Sequence, residues 1–356
     1  MRKVFLHIGA PKTGTTYLQN RLAVNAKSLA EHGVHFPGGS LTTSPELAQF
    51  RAALDLRGQD WGGAPGHADG AWASLMRKVR RLDGTVIISH EILAAASRAE
   101  VERATRDLAG SELHVVYTAR DLGRLVPAAW QESVKQGRRW KYQRCVRRIQ
   151  RGRSFWAKAF DLPRSLNTWG HGLAPERVHL ITVPQQRGGG DSLWLRACGV
   201  LGIDPDWAPE ESLRRNPSLG LVETEVLRKL NRRMDRATRR ELAVNTLVAD
   251  ILAEGQLART RSALPELPPT AHGWAEEQTQ RWIDWIRGSG IDVVGDLDDL
   301  WPTTDRGPDY LDPTRVSAKQ QLAVALDALE FMTAEAANRP DPRQQFSAKV
   351  RRRFGR

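Results

Sequence analysis

The sequence predicts an α/β fold: a parallel central sheet flanked by helices, a P-loop-like strand-loop-helix at its start, and a C-terminal helical part. Three observations carry this. Short β-rich runs at 3–8, 85–89, 112–118 and 177–183 are separated by stretches long enough for helices, which is the spacing of βαβ units. The first run enters a glycine-bearing loop and then apolar residues at helical spacing. After about Asp204 the strand signal fades and helical periodicity takes over. The expected division is an α/β core over 1–204 and a mainly helical part over 205–356, packed on the core.

Taken in order, Leu18, Leu22, Ala26 and Leu29 repeat at helical spacing after Gly14, and Leu75, Val79 and Leu82 suggest a second helix. Ser97 with Glu100 is a capping-box pattern that opens a helix toward Leu108. Beyond 204, helices are expected near 219–231, 236–253, 271–287 and 316–337, with Pro265, Pro268 and Pro269 in a turn and 295–302 as a loop. Trp274, Trp282 and Trp285 share a helical face, which more often means packing than ligand stacking.

Bulk properties narrow the classes. The chain has 356 residues, of which 40% are hydrophobic, enough for a large core. Its two cysteines, Cys145 and Cys198, stand alone in their segments, so neither a disulfide framework nor a cysteine metal site is suggested. No run reaches the roughly 20 apolar residues that span a bilayer, and polar residues follow the first strand too soon for a signal-peptide core. The expected location is the cytoplasm, with at most weak contact to a membrane surface. The formal charge of +12 favours anionic ligands. Residues 135–153 hold nine basic and no acidic residues beside Trp140 and Tyr142. Nucleic acid would suit that mixture, but no nucleic-acid-binding motif accompanies it, and a solvated surface beside an anion-binding cleft accounts for it better.

The loop is the informative segment. After Val4-Phe5-Leu6-His7-Ile8 come Gly9-Ala10-Pro11-Lys12-Thr13-Gly14-Thr15-Thr16-Tyr17-Leu18. A strand, a glycine loop and a helix N-terminus make an anion site, because the first N–H groups of a helix lack intrahelical partners and lie at the positive end of its dipole. Gly9 and Gly14 allow close approach, Thr15 and Thr16 add hydroxyls, and Lys12 adds an ammonium. A nucleoside-triphosphate P-loop would place lysine after the second glycine. Here Thr15 occupies that position and Lys12 precedes the glycine.

The run Pro-Lys-Thr-Gly-Thr-Thr-Tyr-Leu resembles the sulfate-donor loop of PAPS-dependent sulfotransferases, particularly their bacterial branch. That resemblance implies that Pro11, Lys12, Thr13, Gly14, Thr15, Thr16 and Tyr17 bind the 5′-phosphosulfate end of PAPS (3′-phosphoadenosine-5′-phosphosulfate) without a metal, with Lys12 also acting in catalysis. It implies that Arg120, at the end of the third predicted strand, grips the 3′-phosphate. Where the family has a serine eight residues later this chain has Ala128, which departs from the pattern; Ser133 is a substitute further along the helix. Polar residues at the end of the second predicted strand, His90 and Glu91, are the candidates for the base that accepts the acceptor's proton, with Glu91 preferred. Gln131, Glu132, Lys135 and Arg138 would line the same cleft, and Asn216-Pro217-Ser218-Leu219-Gly220 with Glu223 also resembles family segments.

The function implied is sulfuryl transfer from PAPS to a hydroxyl or amine of a small-molecule or glycan acceptor, with no nucleic-acid partner. Trp61, Trp72 and the segment 58–70 are candidates for a substrate loop or a packed lid. Two alternatives differ in class: a non-catalytic descendant that binds an anionic nucleotide or glycan, which Ala128 and the basic run favour, and a P-loop kinase, which lacks its lysine after Gly14.

Overall fold

Consecutive apolar residues such as Val4-Phe5-Leu6 and Val86-Ile87-Ile88 suit strands covered on both faces. The computed structural model describes residues 2–40, 43–185, 192–212, 218–235, 237–238, 244, 246–259, 262–303 and 310–339. In it those runs form β1 (Lys3–His7) and β3 (Thr85–Ser89), neighbours in one sheet with β2 (Val34–His35), β4 (Glu112–Ala119), β5 (Val178–Thr182) and β6 (Asp292–Val294). The order is β2-β3-β1-β4-β5-β6, and every pairing is parallel.

β1 lies between β3 and β4, with Val4 level with Val86 and Leu113. From β1 the chain goes to the edge strand β2, returns to β3 beside β1, and then crosses to β4, β5 and β6 on the other side. The topological switch therefore falls at the carboxyl end of β1, where open α/β sheets form ligand crevices. One face of the sheet, with Phe5, Ile87, Val116 and Ile181, packs on Leu18, Leu22, Leu29, Trp194 and Ala197. On the other face Val4, Leu6, Val86, Ile88, Val115 and Tyr117 are all buried.

The chain divides into two compact units. The first comprises Met1–Ser133, Trp140–Asn216 and Pro265–Asp312, and contains the whole sheet; the second comprises Val134–Arg139, Pro217–Leu264 and Pro313–Arg356. This differs from the expected division at 204. The helix His272–Ser289 and strand β6 lie beyond 204, yet β6 pairs with β5, so part of the C-terminal half belongs to the sheet unit. Hydrogen bonds run across the strand starts in one line: His114 Nε2 meets Glu112 at 2.8 Å, His114 Nδ1 meets His179 Nε2 at 2.9 Å, and His179 Nδ1 meets Asp292 at 2.7 Å. In the second unit the helix Leu221–Arg233 buries an Arg228–Glu225 pair at 2.6 and 2.7 Å, and Asn231 donates to the carbonyls of Val134 and Arg138.

Most expected elements are present within a residue or two. The capping box at Ser97 and Glu100 forms. The helix expected from Leu18 to Leu29 is broken at Asn25 into α1 (Thr15–Val24) and a second helix, Ala26–Glu31. Asn25 Nδ2 donates to the carbonyls of Arg21 and Glu210, which holds the break. The segment 295–302, which the sequence predicts as a loop, carries a short helical turn, Leu297–Leu300. Both cysteines are free and buried. Parts of the helix expected at 236–253, Asn216, Pro217 and the basic stretch 349–356 lie outside the described residues. No helix among the described residues is long and apolar enough to cross a membrane.

Candidate active site

The site is built from the carboxyl ends of β1, β3 and β4. β1 does not release the chain at once: Ile8 N–H donates to Val116 O and Ala10 N–H to Thr118 O, both at 2.9 Å. The loop leaves the sheet at Pro11. Lys12 then takes φ +69°, the only positive φ of a non-glycine residue among those described. That conformation costs an L-residue about 1–2 kcal/mol, so the fold imposes it. Gly14 follows at φ +90° as the N-terminal boundary of α1, with no side chain capping the helix.

Gly14 is needed here for its angle, since a Cβ there would meet only the movable end of the Leu193 side chain. Gly9 is needed for space as well: a Cβ on it would lie 2.6 Å from Thr15 Cγ2 and 3.3 Å from Glu91 Cβ. The N–H groups of Thr15, Thr16 and Tyr17 fall in the first helical turn, whose donors have no intrahelical partner, and that turn has no acidic residue. The cradle therefore has the close backbone approach, the helix-end donors and the cation that a phosphate requires.

Lys12 Nζ donates to Glu132 Oε2 at 2.8 Å, bringing the loop and the helix Leu122–Lys135 together. Arg120, one residue past β4, donates from Nη1 to the Lys12 carbonyl at 3.2 Å, and so lies at the loop. Asp121, a possible structural partner for Arg120, instead accepts from Arg124 N–H at 2.9 Å and from the Arg124 guanidinium. Thr13 is buried, and its hydroxyl donates to Ala10 O at 2.6 Å, leaving its backbone as the part that can meet a ligand.

His90 and Glu91 sit at the end of β3 but serve differently. His90 Nδ1 accepts the Ile92 N–H at 3.3 Å, capping the turn Glu91–Ala95, and its ring stacks on Phe50 at 4.9 Å. Burial pulls its imidazole below the ordinary histidine value, against the opposing effect of Glu91. Glu91 keeps 23% side-chain exposure and accepts from Gln19 Nε2 at 3.2 Å. Burial favours its neutral form, but His90, a backbone N–H, Gln19 and Thr15 outweigh burial and hold the carboxyl below its usual value. A carboxylate beside the loop with an exposed edge can accept a proton from a bound hydroxyl.

The remaining candidates are spread more widely. Ala128 is half-buried on the helix Leu122–Lys135, and it offers a phosphate no hydroxyl. Ser133 is buried and accepts the Trp156 indole N–H at 2.8 Å, so its side chain is engaged in packing. Lys135 pairs with Glu254 at 3.4 Å. Trp72 is 1% exposed and donates to Asp107 at 2.7 Å, which makes it core and not a substrate-loop residue. Trp61 is 39% exposed and meets Phe155 edge-on.

Sequence reasoning missed a buried polar set beneath the loop: His7, Gln19, Ser89 and Thr118. Its signal was a polar residue at or next to the carboxyl end of β1, β3 and β4, directly after a buried apolar run; Gln19 joins the three from α1. It also missed Asp299, which accepts from Thr182 Oγ1 and Arg196 Nη1, both at 2.7 Å, at the end of β5.

No family model and no curated protein matches the chain. Among solved structures it aligns with the sulfotransferase domain of the Synechococcus PCC 7002 olefin synthase at 14% identity and a TM-score of 0.31, over 71% of this chain and 94% of that one. A likeness at that level carries no argument about chemistry, which the residues of the site have to supply.

Proposed function

We propose that the protein transfers a sulfuryl group from PAPS to a hydroxyl or amine of a small-molecule or glycan acceptor. The observation that carries this is the meeting of an anion cradle with a carboxylate. The left-handed Lys12 and the N-terminus of α1 form the cradle, and Glu91 lies against Gly9 of the same loop. A nucleotide-binding loop alone would fit many functions. A loop with its lysine before the second glycine, beside an ionised base, fits displacement at a sulfuryl centre.

In that reaction the acceptor oxygen forms a bond to sulfur while the bridging bond from sulfur to the 5′-phosphate breaks. The acceptor's proton goes to Glu91, and negative charge grows on the leaving phosphate oxygen. Lys12 and the amides of Thr15, Thr16 and Tyr17 meet that growing charge, an interaction stronger in the transition state than before it. Arg120 takes the 3′-phosphate in this reading, which its hydrogen bond to the Lys12 carbonyl supports by holding it at the loop, and a guanidinium can grip two phosphate oxygens at once.

The test is a comparison of ligands. Adenosine 3′,5′-bisphosphate, the product of the donor, should raise the melting temperature by mass action, whereas ATP with magnesium should raise it little. Stronger stabilisation by ATP would overturn the sulfuryl assignment. Incubation with PAPS and a metabolite or glycan extract, followed by mass analysis for sulfated products, separates an enzyme from a binding protein and identifies the acceptor.

A further inference from the structure

Beneath the loop, six side-chain hydrogen bonds form an unbroken series. Thr13 Oγ1 meets Ala10 O at 2.6 Å and Thr118 Oγ1 at 2.5 Å. His7 Nε2 meets Thr118 Oγ1 at 3.3 Å, and His7 Nδ1 meets Ser89 Oγ at 2.7 Å. Gln19 Nε2 then reaches Ser89 Oγ at 3.3 Å and Glu91 Oε2 at 3.2 Å. The series starts in the donor loop and ends on the candidate base.

Counting protons fixes its direction. A carbonyl only accepts, so the Thr13 hydroxyl proton is spent on Ala10 and Thr13 must accept from Thr118. Thr118 has then spent its proton too, so His7 must donate to it from Nε2. A neutral imidazole that donates from Nε2 has a bare Nδ1, and Ser89 donates there. The Gln19 amide supplies two N–H groups, one to Ser89 and one to the Glu91 carboxylate. Every donor meets an acceptor in only one arrangement. Doubly protonated His7 would set an N–H against the Ser89 proton and break it, and burial, which brings the His7 pKa down to about 4 against the pull of Glu91 and with the help of His90, keeps the ring neutral.

We propose that His7 is a positioning residue that locks the donor loop and the Glu91 carboxylate into one register through this one-way chain of hydrogen bonds. The proposal rests on the sulfuryl-transfer assignment for its meaning. β1 carries both the loop and His7, while β3 carries Ser89 and leads to Glu91, so the imidazole adds a buried link from strand to strand beside the direct contacts that Thr15 and Gln19 make with Glu91.

Two substitutions cut the chain on opposite sides. His7→Asn retains an acceptor near the Nδ1 position and loses the donor to Thr118; His7→Gln retains a donor near the Nε2 position and loses the acceptor for Ser89. His7→Asn is expected to weaken binding of adenosine 3′,5′-bisphosphate about 3- to 10-fold, the scale of one buried hydrogen bond, while leaving the Glu91 titration in place. His7→Gln is expected to move the Glu91 titration upward, with binding within about 2-fold of native. That titration is read by carbon-13 NMR and identified by its loss in Glu91→Gln. In the native protein at neutral pH, nitrogen-15 NMR should show His7 as the Nε2–H tautomer.

An Nδ1–H tautomer or an imidazolium at neutral pH overturns the proposal. So does loss of melting temperature in both variants with neither or both readouts moved together, which is what a purely structural role gives. Should either variant fail to fold, the tautomer of the native protein decides. Failure of the native protein to bind the bisphosphate overturns the sulfuryl assignment and the donor half of the proposal with it, while the tautomer and the Glu91 titration still judge the chain itself.

Discussion

Lys12 Nζ and Glu132 Oε2 form a 2.8 Å ion pair between residues 120 positions apart, so the loop's ammonium already has a partner that any anionic donor must displace. Both side chains are about one-fifth exposed, at 20% and 24%, a setting in which such pairs contribute at most about 1 kcal/mol. Glu132→Gln is therefore expected to tighten binding of adenosine 3′,5′-bisphosphate by up to about 5-fold in a calorimetric titration. Lys12→Ala is expected to reduce turnover more than affinity, because its charge matters most as the leaving oxygen becomes negative. Equal losses in both would make Lys12 a binding residue only.

Arg120→Ala should remove most of the discrimination between adenosine nucleotides with and without a 3′-phosphate. One charge-assisted contact contributes on the order of 1.5–3 kcal/mol, or roughly 10- to 150-fold in relative affinity. Competition binding measures it directly, and unchanged discrimination would assign the 3′-phosphate to another cation.

The choice of base separates by rate. Glu91→Gln is expected to lower turnover roughly 10²–10⁴-fold with donor-product binding intact. His90→Asn keeps a side-chain acceptor for the Ile92 N–H and should stay within a few-fold of native. A large loss in His90→Asn alone would reverse the assignment.

Acid should destabilise the fold in a definite window. The folded His7 pKa of about 4 lies below its ordinary 6.5, so the unfolded chain binds a proton that the folded one refuses. Stability is then full above pH 6.5 and declines as pH falls toward 4, by about 3 kcal/mol from this group. Burial lowers His90 and His114 in the same direction. Urea unfolding at several pH values should give a shallower slope for His7→Gln than for the native chain; equal slopes would mean His7 titrates normally.

The parts of this molecule that are legible in its sequence are those decided locally. A doubly covered parallel strand reads as an apolar run, which is why β1, β3, β4 and β5 stand out. β2 and β6, of two and three residues, are too short to show any period. The anion loop is legible because its glycines, its lysine and the following helix are contiguous. Alternation along the chain does not choose between His90 and Glu91, because their roles depend on Ile92, Phe50 and Gln19. The Lys12–Glu132 pair and the His7 series require the register of β1, β3 and β4, which no single segment encodes.

The place of β6 has a consequence for how the chain is made. His179 on β5 meets Asp292 on β6 across 113 sequence positions. At a synthesis rate of roughly 5–20 residues per second, β5 emerges on the order of ten seconds before the strand that covers its outer edge. Throughout that interval a row of unpaired backbone groups is open to another nascent chain, a recognised route to misassembly. Slowing translation between 183 and 291 should then lower the soluble yield, and supplying a trigger-type chaperone should restore it.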